Sequence, residues 1–168
     1  MRGFNPSSEI MVPRGGNVMK LSIVHSSEID EYIRENHYLH TTPAGAILRM
    51  EFLDDNGCRI GAMLWGRNPS PKQEQKEVLC LTRMYFQDDT EPYIESRALA
   101  MARKYIRMHL PEVKGVVSYA SIGEGHVGTV YKADGWFEVS RSKANSRDYR
   151  EGRKNIDTSA KIKFVRTP

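Results

Sequence analysis

The sequence predicts a single-domain α/β (α+β) fold in which helices flank a mixed, mostly antiparallel central sheet. Two observations carry this prediction. The chain has 168 residues, which fits one domain. Most of its apolar residues lie in short alternating segments, and only a few segments have the 3.6-residue period of a helix.

The first half of the chain is dominated by strand signals. Residues 1–17 have no apolar period and are expected to form a flexible leader, and residues 18–24 form a strand. An amphipathic helix is predicted for 26–36, followed by the polar loop HYLHTTPAG. The alternating segments ILRMEFL and RIGAMLWG flank the turn DDNG, so they predict a β-hairpin.

The second half predicts a parallel strand crossover. A strand at 76–86 is followed by a helix that DDTEP opens and that ends near His109, and then by a strand at 113–121. A short helix at 126–135, the strand WFEVSRS and a last strand at 159–165 complete the order β-α-β-β-β-α-β-α-β-β. A ligand is expected at the carboxyl ends of the parallel strands.

Charge is unevenly distributed along the chain. The net charge is +4, but nine Lys/Arg and three acids follow residue 140, so this segment carries +6 and the rest −2. A basic segment suits a polyanionic partner because each phosphate contact releases a counterion, although a solvated tail is an equal alternative. We expect DNA contacts from Arg141, Lys143, Arg147, Arg150, Arg153 and Lys154.

The composition excludes several classes of protein. Cys58 and Cys80 lie in apolar segments and are expected to be buried, reduced thiols. No apolar run approaches the roughly 18 residues of a membrane span, and the N-terminus lacks a signal peptide. We therefore expect a cytoplasmic protein without a membrane partner.

Two local motifs carry a family resemblance. The spacing from Tyr131 to Gly135-Trp136 resembles the GCN5-related N-acetyltransferase (GNAT) superfamily. NHYLH (36–40), LTRMYF (81–86), ESR (95–97) and above all SYASIGEGHVGTVYKADGW (118–136) resemble the phage Mom-like proteins. That resemblance implies a GNAT-like domain over 18–142, with 143–168 as a basic segment that ends in an edge strand. It also implies the conversion of adenine in double-stranded DNA to N6-carbamoylmethyladenine, which protects phage DNA from host restriction in the host cytoplasm.

The resemblance also implies roles for individual residues. Tyr131 would act as the acid and either His37 or His126 as the base, with Tyr38 and Ser118 beside them. Contacts to the donor are expected from Arg83, Glu95, Ser96, Arg97, Gly128 and Thr129. Three of these residues have purely structural alternatives. His37 would be an exposed loop histidine, Ser118 a serine that caps a strand end, and Arg97 a member of a surface ion pair. A homodimer is compatible with the superfamily.

The donor cannot be read from the motifs. Acetyl-CoA and a glycine-derived donor are both open, and an iron ion held by His and Tyr side chains is a further alternative. The turn QDDTEPYIESR has no glycine and several acids, which disfavours the usual CoA pyrophosphate site at a helix N-terminus. The competing interpretations are an ordinary N-acetyltransferase acting on a small amine or a protein, and a nonenzymatic DNA-binding module.

Overall fold

A single eight-stranded sheet organises the molecule. The computed structural model describes residues 10–11, 18–125, 127–144 and 159–168. In chain order the elements are β1 (Ile10–Met11), β2 (Lys20–Ile23), α1 (Glu28–Asn36), β3 (Leu48–Leu53), β4 (Arg59–Gly66), β5 (Val78–Phe86), α2 (Ile94–His109), β6 (Gly115–Ser121), a 3-10 turn (Ile122–Glu124), α3 (Thr129–Ala133), β7 (Phe137–Arg141) and β8 (Lys161–Arg166). The strands lie side by side in the order β1-β2-β3-β4-β5-β6-β8-β7.

The pairing pattern confirms the predicted fold class. β5 and β6 are parallel neighbours, while the other six neighbouring pairs are antiparallel. The helix α2 connects β5 to β6, as expected for a parallel crossover, because two parallel strands cannot be joined by a tight turn.

Helices cover both faces of the sheet. Ile29 and Ile33 of α1 pack with Leu64 of β4. The neighbouring residues Met63 and Trp65 instead join the larger core that includes α2. Successive side chains of a strand point to opposite faces, so α1 and α2 lie on opposite sides of the sheet.

The helix boundaries differ slightly from those predicted. α2 begins at Ile94 rather than within DDTEP, and Tyr93 precedes it in a left-handed conformation with φ of 65°. α3 begins only at Thr129. Within the described residues, no helix is long and apolar enough to cross a membrane.

Two strands depart from the sequence-based expectation. Ile10–Met11, inside the expected leader, pairs with β2. The last strand was expected at an edge, and that expectation is wrong because β8 pairs with β6 on one side and β7 on the other. Ile162 and Phe164 are fully buried, so an inner position removes both from water, and β7 becomes the edge strand.

Candidate active site at the end of the parallel strand pair

The parallel pairing of β5 and β6 ends before the strands do. It runs from Val78 with Gly115 to Leu81 with Ser118, although both strands continue. At the same level Thr82 is an extra residue in the pairing of β5 with β4, and its hydroxyl donates to the Leu64 carbonyl at 3.0 Å. A bulge bends its strand, and beyond Leu81 and Ser118 the two strands are no longer paired. We call the region between their unpaired ends the gap.

Tyr131 and Ser118 meet at this gap. The buried Ser118 hydroxyl donates to the Tyr131 phenol oxygen at 2.8 Å and lies 3.4 Å from the Leu81 carbonyl. Burial raises the pKa of Tyr131 to about 12, against the hydrogen bond from Ser118, which lowers it. Tyr131 is protonated at neutral pH, as an ordinary tyrosine is, so its hydroxyl can donate a hydrogen bond to a ligand in the gap.

The orientation of Tyr131 depends on its aromatic neighbours. Its ring packs on Phe164 and Trp136, with ring centres 5.2 and 5.4 Å away. Gly128 precedes α3 with φ of 80°, and a side chain there would overlap the Phe164 ring. Gly128 therefore has a packing role, since only glycine lets α3 begin this close to β8. Thr129 is the exposed first residue of α3.

A second tyrosine stands near Tyr131 in the loop after α1. The rings of His37 and Tyr38 stack with centres 4.3 Å apart, His37 being buried and Tyr38 41% exposed. His37 Nδ1 accepts from the Leu39 N–H at 3.2 Å. An acceptor nitrogen carries no proton, so in the neutral ring the proton lies on Nε2, which can donate but not accept. In this geometry His37 orients Tyr38 more readily than it acts as a base.

Arg83 ties that loop to β5 and carries an uncompensated charge. Its guanidinium donates to the Thr41 carbonyl at 2.9 Å, the Thr41 hydroxyl at 3.2 Å and the Thr82 carbonyl at 2.7 Å. Burial lowers the pKa of Arg83, whereas Tyr38 and Cys80 raise it. No carboxylate of the described residues pairs with it, and two of its five N–H groups have no acceptor there. Arg83 can therefore bind an anion at the gap.

The start of α2 does not fit a CoA pyrophosphate. Ser96 donates to the Tyr93 carbonyl at 3.0 Å, and Arg97 pairs with Glu91 at 3.1 Å. Asp88 and Asp89 are exposed just before. These carboxylates and Glu95, in the first turn of α2, would repel a pyrophosphate, and the one nearby arginine is already neutralised. No contact described for Glu95, Ser96 and Arg97 joins them to Tyr131 or Ser118.

The remaining predicted site residues are dispersed. Arg141 pairs with Glu138 at 2.5 Å on the edge strand, and Lys143 is exposed just beyond it. His126, Arg147, Arg150, Arg153 and Lys154 lie outside the described residues. Across the described ranges no group of three or more His, Cys, Asp or Glu is arranged to hold a metal ion. The expectation of two buried thiols is wrong for Cys58, which is exposed, whereas Cys80 is buried.

Sequence reasoning missed the group that fixes the end of α3. Arg103 of α2 donates to Asp134 through two nitrogens, at 2.7 and 2.8 Å, and the Trp136 indole donates to the same carboxylate at 2.7 Å. Asp134 and Arg103 are buried. Arg103 and Asp134 are 31 residues apart in sequence, and no local sequence pattern indicates that they pair. The contact holds α3, and with it Tyr131, against α2.

Solved structures with the same fold are acetyltransferases and their relatives. The ribosomal-protein-S5-alanine acetyltransferase of Vibrio fischeri superposes with a TM-score of 0.62 at 12% identity, covering 94% of this chain and 96% of that one. Arabidopsis thaliana NAA60 in complex with acetyl-CoA gives 0.61 at 12% identity, covering 89% and 99%. The dodecameric spermidine N-acetyltransferase of Vibrio cholerae gives 0.61 at 9% identity, covering 89% and 93%. At these identities the likeness shows the acetyltransferase fold alone.

Sequence comparison gives a narrower likeness. The methylcarbamoylase mom of Escherichia phage Mu is 35% identical over 82 residues, which cover 44% of this chain and 34% of that protein. The match thus spans about a third of that relative's length. The model of the Mom protein family matches residues 18–166, which include both sides of the gap, α3 and the last strand. With that match over most of its length, the chain belongs to the Mom protein family.

Proposed function

We propose that this protein is a DNA-modifying transferase that converts adenine in double-stranded DNA to N6-carbamoylmethyladenine and so protects phage DNA from host restriction. The observation that carries the proposal is the Tyr131–Ser118 hydrogen bond at the end of the parallel strand pair, in a chain of the Mom family. The methylcarbamoylase of phage Mu supports the choice of reaction.

The target amine sets the chemical requirements. Its lone pair is delocalised into the purine ring, so it attacks poorly, and it is out of reach inside a stacked duplex. An enzyme of this kind extrudes the base at a cost of about a few kcal/mol. It must then donate a proton, or a hydrogen bond, to the part of the donor that becomes negative.

Tyr131 meets the last requirement. Tyr131 is protonated at neutral pH, and Ser118 fixes its phenol oxygen from the buried side. The Tyr131 hydrogen is then left to point into the gap, toward the reacting group. We assign Tyr131 as the general acid and Ser118 as the residue that positions it.

The opposite wall of the gap supplies binding groups. Tyr38 is partly exposed and stacked on His37, which suits it to contact an extruded base. Arg83 is suited to hold an anionic group of the donor or of the nucleotide, because its charge has no described carboxylate partner. His126 remains the candidate base.

The donor need not be a thioester of CoA. The acidic turn before α2 disfavours a pyrophosphate, and an acetyl group alone lacks the nitrogen of the installed amide. A glycine-derived donor fits both constraints, and we place iron only as an alternative.

Mass spectrometry of nucleosides tests the proposal. Plasmid DNA from cells that express the protein should contain a deoxyadenosine heavier by a carbamoylmethyl group. Tyr131→Phe should lower its amount at least about a hundredfold, in the range of a lost proton donor, without unfolding the protein. Lys104→Gln, an exposed change on α2, is the matched control. Unmodified DNA from a folded wild-type protein, in a host that supports a known member of the family, would refute the proposal.

The second candidate is an ordinary N-acetyltransferase acting on a small amine or a protein. The fold shared with acetyltransferases favours it. It requires acetyl-CoA binding, which isothermal titration measures directly. Binding of acetyl-CoA together with unmodified DNA would favour this candidate.

A further inference from the structure

A groove lies at the end of the sheet opposite the Tyr131–Ser118 pair. Its volume is about 460 Å³, and it is lined by Val78, Lys114, Gly115, Val116, Gly135, Phe137, Val165, Arg166 and Thr167. The groove is bounded by the first residues of β5 and β6, whereas Ser118 lies three residues further along β6. It is therefore separate from the gap, by roughly 10 Å along the strand.

The charge of the groove is positive and uncompensated. Lys114 and Arg166 line it, and none of its described lining residues is an acid. Six other described arginines pair with carboxylates, namely Arg34, Arg49, Arg59, Arg97, Arg103 and Arg141. Arg166 has no such partner among the described residues, and the Lys114 ammonium donates only to the Pro111 carbonyl there, at 2.8 Å.

The backbone around Arg166 is shaped to leave its guanidinium in place. Gly135 has φ of 74°, and a side chain at this position would overlap Arg166 Nη1. Glycine at this left-handed position lets Arg166 lie beside the turn after α3. The Arg166 guanidinium lies against the Gly135 backbone, at the wall of the groove.

An apolar surface adjoins the two cations. Phe137 is 70% exposed at the start of β7, and Val139 is 52% exposed two residues later. β7 is the edge strand, so its outer side has no strand partner among the described elements. Exposed aromatic side chains beside cations are suited to nucleic acid, because the ring contacts a base or sugar while the cations contact phosphates.

The strand β7 connects the groove to the start of the basic segment. Phe137 and Arg141 are four residues apart on β7, roughly 13 Å. That length corresponds to about four nucleotides of one strand of duplex DNA. A DNA strand that lies along β7 can therefore reach the groove at one end and the basic segment that begins at Arg141 at the other.

We propose that this groove is a second DNA-binding site, in which Lys114 and Arg166 bind backbone phosphates and Phe137 packs against a sugar or base. The proposal rests on the proposed function, because it takes DNA as the partner. It extends the DNA contact surface from the basic segment to the opposite end of the sheet. Its role is to hold the duplex while the target adenine occupies the gap.

The test is the salt dependence of duplex binding. Affinity for a labelled duplex of about 20 base pairs is measured by fluorescence anisotropy at several salt concentrations. The Lys114→Gln/Arg166→Gln double variant should weaken binding about tenfold near 0.1 M salt and lower the slope of log affinity against log salt by one to two. Phe137→Ala should weaken binding with an unchanged slope, because it removes no charge.

The control is a charge-matched double variant. Lys20→Gln/Lys104→Gln removes two charges from β2 and α2, away from the groove, and should leave the slope within a few tenths of the wild type. Equal slopes for the groove variant and this control would overturn the proposal. If the nucleosides of plasmid DNA are still modified in that case, only the groove proposal fails. A wild type that neither binds duplex nor modifies adenine overturns both.

Discussion

The environment of Tyr131 shifts the ionisation of its phenol away from that of a tyrosine in water. A phenol in water has a pKa of 10.0, and burial against Phe164 and Trp136 raises that of Tyr131 to about 12. The sequence predicted Tyr131 and Ser118 as site residues from a family motif. It could not predict that they share a hydrogen bond, because a helix residue and a strand residue 13 apart meet only through the fold.

This pKa leads to a prediction for alkaline solution. A raised pKa in the folded state stabilises the fold fully below pH 10.0, and that stabilisation is lost as pH rises through about 12. Between pH 10 and 12 the melting temperature of the wild type should therefore fall more steeply than that of Tyr131→Phe. Thermal denaturation by circular dichroism measures both. Parallel curves would mean that Tyr131 ionises as freely in the folded protein as in the unfolded chain.

Gly128 and Gly125 form a matched pair for a second prediction. Both are left-handed, but a side chain at Gly128 would overlap the Phe164 ring, whereas no atom of the described residues lies within 4 Å of one at Gly125. Gly125→Ala should cost only the backbone strain, about 1 kcal/mol of unfolding free energy. Gly128→Ala should cost about 1–3 kcal/mol more through overpacking. Urea denaturation gives both values, and equal losses of unfolding free energy would contradict a packing role for Gly128.

At the scale of elements, periodicity predicted most helices and strands but not their neighbours in space. Alternating apolar residues indicated β3, β4 and β5, although β4 lies between the two cores and is buried on both faces. The same rule indicated a strand near the C-terminus but placed it at an edge. Its insertion between β6 and β7 depends on long-range pairing, which a local pattern does not encode.

The contact between α2 and α3 supports the third prediction. Arg103→Met removes the bidentate partner of a buried carboxylate and leaves Asp134 with the Trp136 indole. We expect a loss of about 3–5 kcal/mol in unfolding free energy, because an unpaired buried charge is costly. Removing Arg141, which pairs with Glu138 on the exposed strand β7, should cost less than about 1 kcal/mol. Similar losses by urea denaturation would show that the Arg103 pair is no stronger than a surface pair.

At the scale of the whole molecule, the basic C-terminal segment is part of the folded domain, because it contains the inner strand β8. Charge alone indicated a basic tail, and five of the cations expected to contact DNA follow Arg141 in the sequence. The chain then returns to form β8, which puts Ile162 and Phe164 in the core and supplies the ring that packs on Tyr131. Composition could show where the positive charge lies but not that the same segment completes the site.

The last prediction separates these two contributions. Truncation after residue 142 should abolish cooperative unfolding, because it removes β8 from the middle of the sheet and exposes β6. Replacing Arg147, Arg150, Arg153 and Lys154 with Gln should leave the melting temperature within a few degrees of the wild type while lowering the salt slope of duplex binding by up to about four. Circular dichroism and anisotropy on the two variants test this. A truncated chain that still melts cooperatively would show that β8 is dispensable for folding. A quadruple variant with the wild-type salt slope would show that DNA is bound elsewhere, and the groove beside Phe137 is then the first surface to examine.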